Sequence, residues 1–236
     1  MWVVIYLCLT TILVTKMYEQ FDETAAKALL AVEPGDSVRR VSQKIDEPYE
    51  TVRQKVKRLE EGDVVETDDG VRVVAPSVEK AVYGSAAAGA RVSSPSPREA
   101  YVLPHYADRP FAFTRIDAVY VWTRGGYQVA RSPDDYAVFV AVEEPAYWKN
   151  FFADFGVPAN EEREPADEVD GSVQFVVEER DEVERDWVEG QPVIPLEETV
   201  EYMRDNFVQF QPAFEMIDEM YDEPNLDVEY SEKGAV

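Results

Sequence analysis

Between Phe21 and Val74 the chain runs through three short helical patterns with firm stops and closes on a two-stranded pattern. Asp22 is a good N-cap, and Phe21 with Ala26 is spaced for a hydrophobic staple. Ala25, Ala28, Leu29 and Val32 then recur at helical spacing, and Pro34-Gly35 stops the first helix. Ser37 caps a second helix that buries Val38, Val41 and Ile45. Asp46-Glu47-Pro48 makes the turn into a third, with Pro48 near its first position. Val52, Val56 and Leu59 form the apolar stripe of helix three, and Gly62 is placed as its C′ residue. Two β-rich runs follow, Val64–Thr67 and Val71–Val74, joined across Asp68-Asp69-Gly70. Asp-Gly between such runs is a strong hairpin signal.

Charge sharpens the meaning of this segment. The chain of 236 residues carries a formal net charge of −25, with 48 acidic and 23 basic residues. Residues 36–58 nevertheless hold seven basic and four acidic residues, a local net charge of +3. The excess falls on the second and third helices. The acids elsewhere are spread along the whole chain, and Arg outnumbers Lys by 15 to 8. Such a composition resembles haloarchaeal proteins, whose carboxylate-rich surfaces stay soluble in molar salt. The competing reading is an acidic face that meets a basic partner.

The run from Ser37 to Glu66, SVRRVSQKIDEPYETVRQKVKRLEEGDVVE, resembles the winged helix-turn-helix transcriptional regulators of bacteria and archaea, in the MarR/ArsR-like style. The resemblance covers about residues 20–75. It implies that helix three enters the major groove of duplex DNA and that the wing touches the backbone or minor groove. Carried onto this sequence, Tyr49, Glu50, Thr51, Arg53, Gln54 and Lys57 lie on the base-reading face. Arg53 would pair with guanine and Gln54 with adenine. Ser37, Arg39, Arg40, Lys44, Arg58 and Arg72 would meet phosphates, which position but do not specify. Asp68 and Asp69 depart from the basic wing tip usual in that family and argue against deep wing insertion. In 1 M salt the Debye length is about 3 Å, so distant carboxylates barely act on DNA. Counterion release also drives binding weakly there.

The remaining chain predicts a second unit. Trp2–Thr15 is an apolar leader, shorter than the roughly 20 residues a spanning helix needs. It lacks the basic start and cleavage site of a signal peptide. Translation is expected to start at Met17, with a packed strand or helix of the fold and a membrane anchor as the alternatives for the leader, so residues 1–16 are set aside and 17–76 taken as the DNA-binding domain. Residues 77–97, poor in bulky apolar side chains and ending in Ser93-Ser94-Pro95-Ser96-Pro97, read as a linker holding at most a short helix over 77–83. Residues 98–236 read as a regulatory or dimerisation domain of α+β class. Strands are expected at Ala100–Leu103, at Ala118–Thr123 and Tyr127–Arg131 across Arg124-Gly125-Gly126, at Tyr136–Val142 and at Val173–Val177. Asp186–Val188 and Pro192–Ile194 flank a tight turn at Glu189-Gly190. Pro145–Phe155 reads as a helix with Trp148, Phe151, Phe152 and Phe155 on one side.

Leu196, Val200, Met203, Phe207, Phe210, Phe214, Ile217 and Tyr221 alternate spacings of four and three, a heptad seam. It predicts a long amphipathic helix, interrupted or kinked at Pro212. The seam serves either intramolecular packing or a homodimer through residues 196–221. Residues 141–236 carry a net charge of −22, against −3 for residues 1–140.

Candidate chemistry is sparse. One cysteine and one histidine, Cys8 and His105, exclude an intrachain disulfide and weigh against zinc. No phosphate-binding glycine loop, nucleophile elbow or metal-ligand cluster is present, so no catalytic residue, metal or cofactor is assigned. Asp134-Asp135 reads as solvated surface and His105 as a structural or partner-contacting residue. Arg98, Arg109, Arg115, Arg124 and Arg131 would face an acidic partner or pair with local acids. These features predict a cytoplasmic DNA-binding regulator, not an enzyme and not a membrane protein. A winged helix followed by an α+β domain also resembles antitoxins of the AbiEi type, in which the second domain would bind a protein partner. A third reading is a nucleotidyltransferase-like enzyme fused to a winged helix.

Overall fold

Strong caps and stops make the N-terminal helices short. The computed structural model describes residues 21–127, 136–164 and 173–221. Asp22 accepts from the Ala25 amide at 3.0 Å and starts α1 (Glu23–Leu30). Ser37 accepts from the Arg40 amide at 3.1 Å and starts α2 (Val38–Lys44). Asp46 takes a left-handed φ of 51°, turning the chain into α3 (Tyr49–Glu61). Gly62 closes α3 without the left-handed conformation expected of it. Asp63 takes that role instead, at φ 54°.

β1 (Val65–Glu66) and β2 (Arg72–Val73) pair antiparallel, Val65 opposite Val73 and Glu66 opposite Arg72. Ala28, Leu29, Val41, Ile45, Val52, Val56, Leu59, Val64, Val65 and Val71 form the core between helices and hairpin. Full burial contributes roughly 1.5–3 kcal/mol for each Val or Leu.

The expected linker at 77–97 is largely helix. α4 (Pro76–Val92) runs for 17 residues, with Pro76 at its start, and Val78 and Val82 pack on the first core. Its alanines are poor in bulk but are the best helix formers. The chain divides into two units, residues up to 93 with 101–108, and residues 94–100 with 109 onward. The Ser/Pro run therefore marks one crossing between units, and the chain returns to the first core at Val102 and Tyr106.

The expected strand at Ala100–Leu103 is replaced by two short helical turns. α5 (Pro97–Ala100) opens on a reciprocal cap. Ser96 Oγ accepts from the Glu99 amide at 3.3 Å, and Glu99 accepts from the Ser96 amide at 2.9 Å. A 3-10 turn follows at Leu103–Tyr106 and holds His105 buried.

The second unit is mixed α and β. Among the described residues its strands are β3 (Phe111–Phe113), β4 (Tyr136–Val142), β5 (Ala159–Asn160), β6 (Val173–Glu179), β7 (Asp186–Val188) and β8 (Gln191–Val193). They lie in the order β5-β6-β4-β3-β8-β7. β4 and β6 pair in parallel along their whole length, as do β5 with β6 and β3 with β8 over shorter stretches. β3 with β4 and β7 with β8 are antiparallel. Glu189 (φ 48°) and Gly190 (φ 82°) form the expected turn of the last hairpin, both left-handed.

Ala118–Thr123 is not a strand. Residues Arg115–Trp122 form α6, which packs on β3, β4 and β8 and buries Ala118, Val119, Val121 and Trp122. Its β-branched and aromatic content mimics a strand, but packing against the sheet overrides that preference. The Arg124-Gly125-Gly126 turn stops the helix, with Gly125 donating to Tyr120 O at 2.8 Å. The expected strand at Tyr127–Arg131 lies almost wholly outside the described residues, as do the leader, Arg131 and Asp134-Asp135.

α7 (Pro145–Asp154) lays Trp148, Phe151 and Phe152 into the sheet, and Phe152 stacks on Phe175 with ring centroids 3.8 Å apart. The C-terminal seam is core. Val200, Met203, Phe210, Phe214 and Ile217 are buried within the chain itself, as intramolecular packing requires. The seam breaks at Asn206, between α8 (Leu196–Asp205) and α9 (Phe207–Met220), and not at Pro212. Pro212 sits inside α9 and is exposed. The carbonyl it leaves without a helical donor belongs to Val208, a residue 92% exposed, so water can satisfy it.

Candidate nucleic-acid interface

The stripe that buries Val52, Val56 and Leu59 turns the opposite face of α3 outward. Glu50, Arg53, Gln54 and Lys57 share that face and are exposed. Tyr49, at the start of the helix, is 45% exposed, and Thr51 is half-buried toward its flank. Arg39, Arg40 and Ser37 on α2, Arg58 on α3 and Arg72 on β2 are exposed too. The Ser37 hydroxyl is already engaged as the cap of α2. The structure therefore places eleven of the twelve residues expected at the DNA face at least partly in solvent.

Lys44 is the exception and the correction. Its side chain is 0% exposed and cannot reach a phosphate. Nζ donates to Asp36 Oδ2 at 2.7 Å and to Ala31 O at 3.3 Å, and lies 3.4 Å from Glu33 Oε1. Helical spacing alone puts Lys44 beside Arg40. Only the folded α1–α2 loop supplies the carboxylate that lets it be buried.

Local acids temper the outward face. Arg53 donates to Glu50 Oε2 from Nε at 3.0 Å and from Nη2 at 2.9 Å. This hydrogen bond and the Glu50 charge raise the guanidinium pKa further. Lys57 lies 3.7 Å from Glu61, and Arg72 pairs with Glu66 across the hairpin. Such exposed pairs are each worth about 0–1 kcal/mol and exchange readily for another anion. Lys55, to which helical spacing alone assigns no role, pairs with Asp22. Burial pushes the Asp22 carboxyl up. The Lys55 hydrogen bond, the Ala25 amide and the charges of Lys55 and Arg58 outweigh it and hold the group below the usual carboxylate range.

Four arginines of the second unit, Arg109, Arg115, Arg124 and Arg180, are tied locally. Arg109 lies 3.4 Å from Glu144 and over the Tyr147 ring, and Arg124 lies 4.0 Å from Glu189. Arg115 donates to Glu178 at 3.0 Å, and Glu178 also pairs with Arg180, which reaches Glu198. This chain of charges borders a cavity of about 150 Å³ lined by Ala141, Arg180, Glu182, Val183, Glu184, Ile194 and Glu198. Among the described residues no group of three His, Cys, Asp or Glu side chains is placed to hold a metal ion. No described helix is long and apolar enough to cross a membrane.

No protein-family model matches the chain, and neither a curated protein nor a solved structure matches it.

Proposed function

We propose that residues 21–75 act as a winged helix-turn-helix that binds duplex DNA, and that the chain is a cytoplasmic transcriptional regulator. The observation that carries this reading is the outward face of α3. Glu50, Arg53, Gln54 and Lys57 share it and Arg39 and Arg40 of α2 are exposed, in a chain whose residues outside 36–58 sum to a net charge of −28. Arg53 and Gln54 carry the side-chain chemistry for guanine and adenine edges in the major groove. Arg39, Arg40, Arg58 and Arg72 supply phosphate contacts, and Asp68 and Asp69 keep the hairpin tip shallow. Lys44 takes no part in contact.

The second unit serves regulation or a protein partner. Its buried seam favours intramolecular packing of residues 196–221 over a helix-to-helix dimer.

The test is selection of genomic DNA fragments by the full chain in molar KCl. The reading expects enrichment of a defined sequence by the wild type and its loss in Arg53→Ala/Gln54→Ala. Absence of any enriched sequence would remove the regulator reading.

A further inference from the structure

The α1–α2 loop is held from three sides. From below, Lys44 at the end of α2 donates to Asp36 Oδ2 at 2.7 Å and to Ala31 O, at the C-terminal end of α1. Within the loop, the same Asp36 oxygen accepts from the Glu33 amide at 2.9 Å. From above, the hairpin clips on. The Val71 amide donates to Asp36 O at 2.6 Å, and the Gly35 amide donates to Val71 O at 3.3 Å. Gly70 closes against Gly35 so tightly that a Cβ on Gly70 would stand 2.7 Å from the Gly35 carbonyl. Asp36 is thus bonded through its side chain to α2 and through its backbone to the hairpin.

Stability alone does not explain a buried lysine here. A buried ion pair is often no better than well-packed apolar residues of the same volume. Its distinguishing property is direction, since both partners must meet at hydrogen-bond distance and angle. The direction imposed here is that of the loop that carries β2.

We infer that Lys44 and Asp36 are positioning residues: their buried pair latches the β1–β2 hairpin to the α1–α2 loop and fixes where Asp68, Asp69 and Arg72 stand relative to α3. The consequence for DNA rests on the proposed winged-helix reading, whereas the latch does not. Burial on both sides also shields this pair from salt, unlike Arg53–Glu50 or Lys57–Glu61.

The experiment is native-state amide exchange on the full chain carrying Lys44→Met/Asp36→Asn. That variant leaves no buried charge and keeps an acceptor for the Glu33 amide. The expected result is a folded protein in which the Val71 and Gly35 amides exchange at least about 10-fold faster, with Val56 and Leu59 of α3 unchanged. Wild-type exchange at Val71 and Gly35 would overturn the latch. Lys44→Leu/Asp36→Asn, which likewise leaves no buried charge, carries the same expectation should the first double variant not fold. Failure of both variants to fold would also overturn a positioning role, because the pair would then be a requirement of the fold.

Backbone footprinting on the selected DNA separates the two layers. The double variant is expected to keep the protection given by α3 and lose the flanking protection given by the hairpin. Unchanged flanks would overturn the functional half. A wild type with no selective footprint would overturn the winged-helix reading and leave the latch to be judged by the amides.

Discussion

Two cationic groups nine residues apart meet opposite fates. Lys44 is wholly enclosed and commits its charge to Asp36 and the end of α1. Arg53 stands in solvent on α3 and shares its guanidinium with an equally exposed Glu50. Removing either partner of an enclosed pair strands a charge where water cannot reach it, whereas an exposed arginine exchanges a carboxylate for a phosphate or a base with little penalty. The first arrangement builds a frame, and the second leaves a group ready to bind. Arg109, Arg115 and Arg180 are engaged by neighbouring carboxylates on the same domain.

The largest expected effect lies on the enclosed side. Lys44→Met alone leaves Asp36 buried without its cation and should cost about 3–5 kcal/mol in urea unfolding of the first unit. A cost near zero would make the two groups equivalent. Of similar size, Trp148→Ala should cost about 3–5 kcal/mol in the second unit. It should leave the unfolding of residues 21–93 in place, and one shared transition would deny that the units are separate.

On the exposed side, Arg53→Ala with Gln54→Ala should leave thermal stability within about 1 kcal/mol of the wild type. Discrimination between the selected DNA and a mismatched site should fall by about 1–3 kcal/mol for each base that is no longer read.

Asp22 gives the smallest effect. Asp22→Ala removes the cap of α1 and the partner of Lys55 and should cost about 1 kcal/mol at neutral pH. Its carboxyl is held below the ordinary aspartate value of 3.8 in the folded chain. Its stabilisation is therefore complete above that value and lost as pH falls through the lowered folded value. A wild-type advantage that persisted at the lowest pH would contradict this sign.

Residues 21–75 were legible because their signals are local. Asp22 and Ser37 cap, Val52, Val56 and Leu59 repeat on one face, and Asp69-Gly70 turns a hairpin. Each is a property of a few neighbouring residues. The misreadings arise where distant packing decides. The alanines of α4 lack the bulk that marks an apolar stripe, so a 17-residue helix resembled a linker. Val119 to Trp122 carry strand-forming side chains, yet the sheet buries them on a helix. Parallel pairing of β4 with β6 joins segments more than thirty residues apart, beyond any short-range pattern. The candidate face of α3 followed from periodicity, but the burial of Lys44 depends on a carboxylate eight positions away in a folded loop.

The outward face of α3 is proposed to read DNA, with the buried pair only framing it. Competition binding of the full chain in molar KCl, with selected DNA against random duplex, tests that claim most directly. The wild type is expected to show clear selectivity, and Arg53→Ala/Gln54→Ala to lose it at equal folding. Equal affinity of the wild type for both duplexes would contradict it.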